Sequence, residues 1–207
     1  TALAFVRQGA KIVFADSNSG NPNIDTGLVE KLITPKTKAI VPVHYAGISC
    51  DMDKIMDLAT KYNLYVIEDT AHGIESSYNG KPLGSIGHFG CFSFHETKNI
   101  HCGEGGMLAV NDARFVDRAE IIWEKGTNRA QFFRGDYSYY EWKDIGSSFL
   151  PSEITAAFLL AQIESIEIIQ ERRLHSWHLY SDGFMDLQRT GMIKIPEIPD
   201  YSSTNAN

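Results

Sequence analysis

Residues 39–69 read AIVPVHYAGISCDMDKIMDLATKYNLYVIED: two apolar runs, AIVPVHY and LYVIED, flank a stretch whose apolar residues recur at helical spacing. Strands without polar alternation are those covered on both faces, and two of them joined through a helix make a parallel βαβ unit with a right-handed crossover. The rhythm extends backwards through DTGLVEKLI (25–33), expected as a helix, and AKIVFAD (10–16), expected as a strand. The fold class is therefore α/β, a mostly parallel sheet with helices on both faces. Ligands of such sheets gather beyond the carboxyl ends of the strands. The polar residues closing each apolar run thus become the first candidates for a site: His44, the pair Glu68 and Asp69, and the segment from His95 to Asn99.

Further along, residues 70–88 are rich in Gly, Ser and Pro and read as a long loop. ARFVDRAEIIWEKG (113–126) reads as a helix closed by Gly126. Residues 127–149 hold many aromatics and two arginines without a sustained period, as expected of an exposed or interface loop. Pro151 opens one long helix running at least towards Trp177. The implied organisation is a large domain over 1–150, a linking helix over 151–190 and the start of a smaller domain over 191–207. With no initiating Met and a start just before an expected strand, the chain reads as an internal piece of a longer protein.

Composition excludes several classes of function. Nineteen basic and twenty-six acidic residues give a net charge of -7 without a basic cluster, so a nucleic-acid partner has little to hold. No apolar run reaches the ~20 residues needed to span a bilayer and no leader pattern opens the chain, so neither a membrane nor export is expected. Cys50, Cys91 and Cys102 are odd in number and form no C-x-x-C pair, which fits a reducing cytoplasm, with Cys91 and Cys102 as packing or turn residues. HETKN (95–99) begins like a zinc-hydrolase motif but ends on Asn99 where a histidine is needed, so no metal is expected.

The stretch CFSFHETKNIHCGEGG (91–106) places Lys98 after an apolar run and before a glycine turn. A lysine has a pKa of about 10.4 in water, but in a dry pocket it loses its proton and can condense with an aldehyde. Pyridoxal phosphate chemistry needs such an amine, a carboxylate to keep the pyridine nitrogen protonated, and donors for a phosphate. Asp69 is the candidate carboxylate, and Ser93 with the adjoining turn the candidate phosphate donors.

EDTAHG (68–73), FSFHETKN (92–99) and GEGG (103–106) resemble, in order and spacing, the cofactor-binding motifs of the DegT/StrS family of sugar nucleotide aminotransferases. The resemblance implies the large domain of a type I pyridoxal phosphate enzyme, incomplete at both ends. It implies that Lys98 binds the cofactor covalently, Asp69 pairs with the pyridine nitrogen, Ser93 binds the phosphate and His72 lies beside the ring. KGTNRAQFFRG (125–135), WKDIGSSFLPSE (142–153) and VPVHYAG (41–47) are similar to the subgroup that aminates dTDP-4-keto-6-deoxyglucose at C4. L-Glutamate is the implied donor, dTDP-4-amino-4,6-dideoxygalactose the product and a cell-surface polysaccharide its destination. His44, Glu104, Asn128, Arg129 and Arg134 are the candidate substrate contacts. Leu150 stands where some relatives carry an asparagine that reaches a neighbouring subunit's phosphate, leaving Ser147 and Ser148 as substitutes.

A homodimer or higher even oligomer is implied for the full-length protein. The 207 residues alone are expected to bind the cofactor weakly and to be inactive. Two other readings stay open: a C3-specific aminotransferase of the same family, and a non-catalytic module that keeps the fold.

Overall fold

The computed structural model describes residues 1–207. Four strands form the main sheet in the order β1-β2-β5-β6. They are β1 (Ala39–Ile40), β2 (Tyr65–Asp69), β5 (Phe89–Ser93) and β6 (Gly106–Val110). β1 and β5 both run parallel to β2, with Ala39 opposite Tyr65 and Asp69 opposite Cys91. β6 returns antiparallel, with Gly106 opposite Ser93.

β1 is shorter than the expected 39–45 run because Pro42 has no N–H to give to a ladder. Pairing resumes beyond it: Asp69 N donates to Pro42 O at 2.9 Å and His44 N to Asp69 O at 3.1 Å. The carboxyl end of β2 is therefore bonded along both edges, since Thr70 N also donates to Cys91 O at 2.8 Å.

The crossover helix α3 (Met52–Tyr62) forms for local reasons and stays for tertiary ones. Asp51 caps it, accepting from Lys54 N at 3.2 Å, and Asn63 ends it in the left-handed conformation at φ 52°. Met52, Ile55 and Ala59 share one face at helical spacing and are buried against Ile40, Leu64 and Val66 of the sheet and against Val29. Val29 belongs to α2 (Thr26–Leu32), capped by Asp25. Full burial of side chains of this size stabilises by about 1.5–3 kcal/mol each, so this face fixes the β1-α3-β2 unit and thereby the height of β2.

The sequence reading needs correction elsewhere. After the short α1 (Ala2–Val6), residues 10–16 form no strand: Ala15 packs against the core and Asp16 O accepts from Asp25 N at 2.9 Å, but Val13 and Phe14 are 60% and 80% exposed. The expected loop 70–88 contains a hairpin, β3 (Ser77–Tyr78) with β4 (Lys81–Pro82), turned at Asn79 and Gly80, both at positive φ. Asn-Gly between two strands is the sequence signature of that tight turn. The expected loop 127–149 contains α5 (Arg129–Arg134), which follows α4 (Val116–Trp123). The single long helix is two, α6 (Glu153–Glu164), capped by Ser152, and α7 (Ile166–Arg189), broken at Ser165.

No helix is long and apolar enough to cross a membrane. After α7 the chain returns to the β3–β4 hairpin. Ser202 bridges Tyr78, and Asn79 N donates to Tyr201 O at 2.7 Å.

Candidate active site

The end of β2 carries two adjacent carboxylates whose side chains leave opposite faces of the strand. Glu68 points inward and is fully buried with His44. Its oxygens accept from Gly84 N at 2.9 Å, Ile86 N at 2.8 Å, Gly87 N at 2.6 Å and His44 Nε2 at 3.0 Å. His44 Nδ1 accepts from Cys50 N at 3.1 Å, so its proton sits on Nε2 and is given to Glu68. Burial alone would push the Glu68 carboxyl up, but the His44 bond and the amides of Gly87 and Gly84 outweigh it and hold it below the ordinary range. This knot ties the 84–87 loop and the 43–50 segment to the last turn of β2.

Asp69 faces the other way and is half-buried. Ala71 N donates to its Oδ1 at 3.1 Å, and the Thr1 hydroxyl donates to its Oδ2. Three residues past Asp69, His72 Nδ1 accepts from Ala46 N at 3.2 Å, which leaves the proton on Nε2. Burial, then the nearby Lys98 charge, lowers the His72 pKa against the opposing pull of Asp69, so the ring is neutral at pH 7. Lys98 and Asp69 thus each lie within electrostatic reach of His72. The Tyr45 ring packs edge-on against His72, with centroids 5.3 Å apart.

Lys98 sits in the turn after β5, where its N–H donates to His95 O at 2.9 Å, and its ammonium enters no ion pair. Ser93, the last residue of β5, accepts a long 3.4 Å bond from His95 N and keeps its own hydroxyl proton to give. Burial, then the Asp69 and Glu68 charges, pushes the Cys91 thiol up, in keeping with a packing residue.

The five candidate substrate contacts are placed differently. His44 is sealed, with both ring nitrogens engaged. Glu104 lies exposed on the β5–β6 turn, 3.6 Å from His95 Nε2. Asn128 is buried; it donates to Tyr139 O at 3.2 Å and accepts from Glu141 N at 2.8 Å, pinning the loop after α5. Arg129 bonds Glu124 at 3.3 Å and covers the Phe133 ring, while Arg134 forks onto Glu120 at 2.7 and 2.8 Å. Sequence reasoning passed over Thr1, which reaches Asp69 across 68 positions and carries no local signal.

A free amine, a carboxylate and a neutral imidazole at the carboxyl ends of parallel strands are the donor set pyridoxal phosphate requires, and the free Ser93 hydroxyl suits a phosphate. The α/β sheet is the large-domain architecture of pyridoxal phosphate-dependent aminotransferases. The solved aminotransferase from Psychrobacter cryohalolentis matches 99% of this chain and 54% of its own at TM-score 0.91 and 31% identity. A sugar aminotransferase from Streptococcus pneumoniae, Spr1654, solved in its PMP form, matches 88% of this chain and 52% of its own at TM-score 0.76 and 27% identity.

The chain belongs to the DegT/DnrJ/EryC1/StrS aminotransferase family, whose model matches residues 1–206. It is 38% identical over 197 residues to the UDP-4-amino-4-deoxy-L-arabinose–oxoglutarate aminotransferase of Shewanella sediminis, a match covering 93% of this chain and 50% of that protein. The chain spans about half the length of the curated relatives it matches.

Proposed function

We propose that the full-length protein transfers an amino group from L-glutamate to C4 of a nucleotide-linked keto-sugar. The acceptor is dTDP-4-keto-6-deoxy-D-glucose, and the products are dTDP-4-amino-4,6-dideoxy-D-galactose and 2-oxoglutarate. The observation that carries the reading is the pairing of β2 and β5, which puts Asp69 opposite Cys91 beside Ser93 at the end of β5, with His72 three residues past Asp69 and Lys98 in the turn after β5. The Shewanella sediminis relative, named for a 4-amino sugar and for oxoglutarate, supports the position and the donor. The motifs over 41–47, 125–135 and 142–153 support the dTDP-sugar.

Bound pyridoxal phosphate supplies a carbonyl that accepts an amine and a ring that withdraws electrons. Lys98 would hold it through Nζ and, once displaced by the incoming amine, carry the proton that leaves and returns at the donor carbon. Asp69 would keep a proton on the ring nitrogen. Its rigid place follows from the two bonds its backbone makes to Pro42 and His44 and from the bond of the next residue, Thr70, to Cys91. His72 can only donate from Nε2, because Ala46 N–H occupies Nδ1. Ser93 would donate to the phosphate. A homodimer in the cytoplasm, with residues 191–207 leading towards a smaller domain, completes the proposal.

The test is NMR analysis of the product formed by the full-length protein from L-glutamate and dTDP-4-keto-6-deoxy-D-glucose. An axial amine at C4 is expected. An amine at C3, or turnover only with another nucleotide, overturns the substrate assignment.

A further inference from the structure

The segment that closes the chain does more than lie on the surface. Asn205 is fully buried, and its amide nitrogen donates to two carbonyls, His72 O at 2.7 Å and Ile74 O at 2.6 Å. Its Oδ1 accepts from Asn207 N at 3.1 Å, and its main-chain oxygen accepts from Asn99 Nδ2 at 2.9 Å. Asn99 directly follows Lys98, and this is the one side-chain bond it makes, since its Oδ1 is buried without a partner. One asparagine therefore touches the loop of His72 and the turn of Lys98, which are far apart in sequence and belong to different strands.

A third loop is shaped to admit it. Gly47, at φ +72°, faces Asn205 so closely that an added Cβ would lie 2.0 Å from Asn205 Oδ1. Ala46, its neighbour, supplies the N–H that sets the His72 tautomer and itself adopts φ 53°. Asn205 is in turn anchored from behind. Arg173 Nη2 of α7 donates to Ala206 O at 3.0 Å, Ser49 N to Ser202 Oγ at 2.8 Å and Ser77 N to Ser203 Oγ at 2.8 Å.

We propose that Asn205 is a positioning residue: it clasps the 44–47, 72–74 and 98–99 segments together and so sets the spacing of His72 and Lys98. This rests on the aminotransferase reading for its consequence, though not for its geometry. Only an amide suits the place. Aspartate has the same shape but would turn two donated bonds into two oxygen–oxygen repulsions, and alanine would leave the His72 and Ile74 carbonyls unpaired.

The test uses full-length protein carrying Asn205→Asp, Asn205→Ala or Asn99→Ala. In the cofactor-free state, hydrogen exchange is followed at the amides of Gly73 and Lys98, with Leu64 and Tyr65 as distant controls; all four are hydrogen-bonded. Both Asn205 variants are expected to speed exchange at Gly73, in the loop the side chain holds, by roughly tenfold or more while the controls hold, and Asn99→Ala, which loses the bond to the Asn205 main-chain oxygen, to do so at Lys98. After loading with pyridoxal phosphate, the induced circular dichroism per bound cofactor should fall in all three, because the ring is held at a changed angle.

Unchanged exchange at Gly73 in the Asn205 variants with a merely lower Tm, or unchanged exchange at Lys98 in Asn99→Ala, overturns the proposal. Should neither Asn205 variant fold, Asn99→Ala decides by the same two readouts. Should the wild-type protein take up no pyridoxal phosphate on Lys98, the aminotransferase reading fails, while the exchange data still judge the clasp.

Discussion

The end of β2 and the arm over residues 127–149 are both tied by side-chain hydrogen bonds, yet they differ in how much of that tie is buried. At β2, Glu68 is buried on three backbone amides and His44, and the neighbouring Asp69 side chain is left at the face where Lys98 and His72 gather. In the arm, Asn128 is buried on the backbone of Tyr139 and Glu141, and Arg129 reaches the buried Glu124, but Arg134 holds Glu120 in an exposed pair, and what the arm presents outward is apolar: Phe133, Tyr139, Trp142 and Ile145. A buried charge held by backbone donors fixes a neighbour, because the backbone cannot give way. An exposed pair held by flexible side chains fixes little.

The sharpest way to break this contrast lies at Lys98. In the full-length protein, Lys98→Ala and Lys98→Arg should both reduce transamination to background, because neither a methyl group nor a guanidinium can condense with the aldehyde of the cofactor; residual turnover by Lys98→Arg would show that charge alone suffices. Asp69→Asn keeps the shape and removes the charge. It should keep the cofactor bound and lower kcat roughly 10²–10⁴-fold, measured by coupled assay of 2-oxoglutarate. Near-normal turnover would make Asp69 a turn residue.

How far these assignments were legible beforehand depends on the range of each interaction. The βαβ unit was legible because the periodicity of 39–69 is local, and so were the strand ends. The β3–β4 hairpin was equally legible from Asn79-Gly80 but was submerged in a Gly/Ser-rich tract. The choice between Glu68 and Asp69 was half legible: alternation requires one to face inward, and only the motif told which. The roles of Thr1 and Asn205 were not legible at all, since each acts across 68 or more positions. Nor could the types Asn and Arg reveal that Asn128 would be engaged by Tyr139 and Glu141, Arg129 by Glu124 and Arg134 by Glu120.

Smaller effects concern stability. His44→Ala removes one partner of a fully buried pair and should cost about 3 kcal/mol in urea unfolding. Because the folded Glu68 pKa is lowered, its contribution is fully present above the ordinary carboxylate range and is lost as pH falls through the lowered value. Glu68→Gln should flatten that acid limb of the pH–stability curve; an unchanged limb would assign it to other carboxylates. At the other extreme, Arg134→Ala breaks only an exposed pair and should leave Tm within the scatter of the measurement. A large drop there would mean that the arm is as rigid as the knot.

The central claim is that Lys98 is the amine of the site. It is tested most directly by reducing the full-length protein with borohydride in the presence of pyridoxal phosphate and mapping the adduct by mass spectrometry. A single pyridoxyl group on the peptide containing Lys98, stoichiometric with the loss of the yellow colour, is the predicted result. An adduct on Lys81, Lys125 or any other lysine, with Lys98 unmodified, would contradict it.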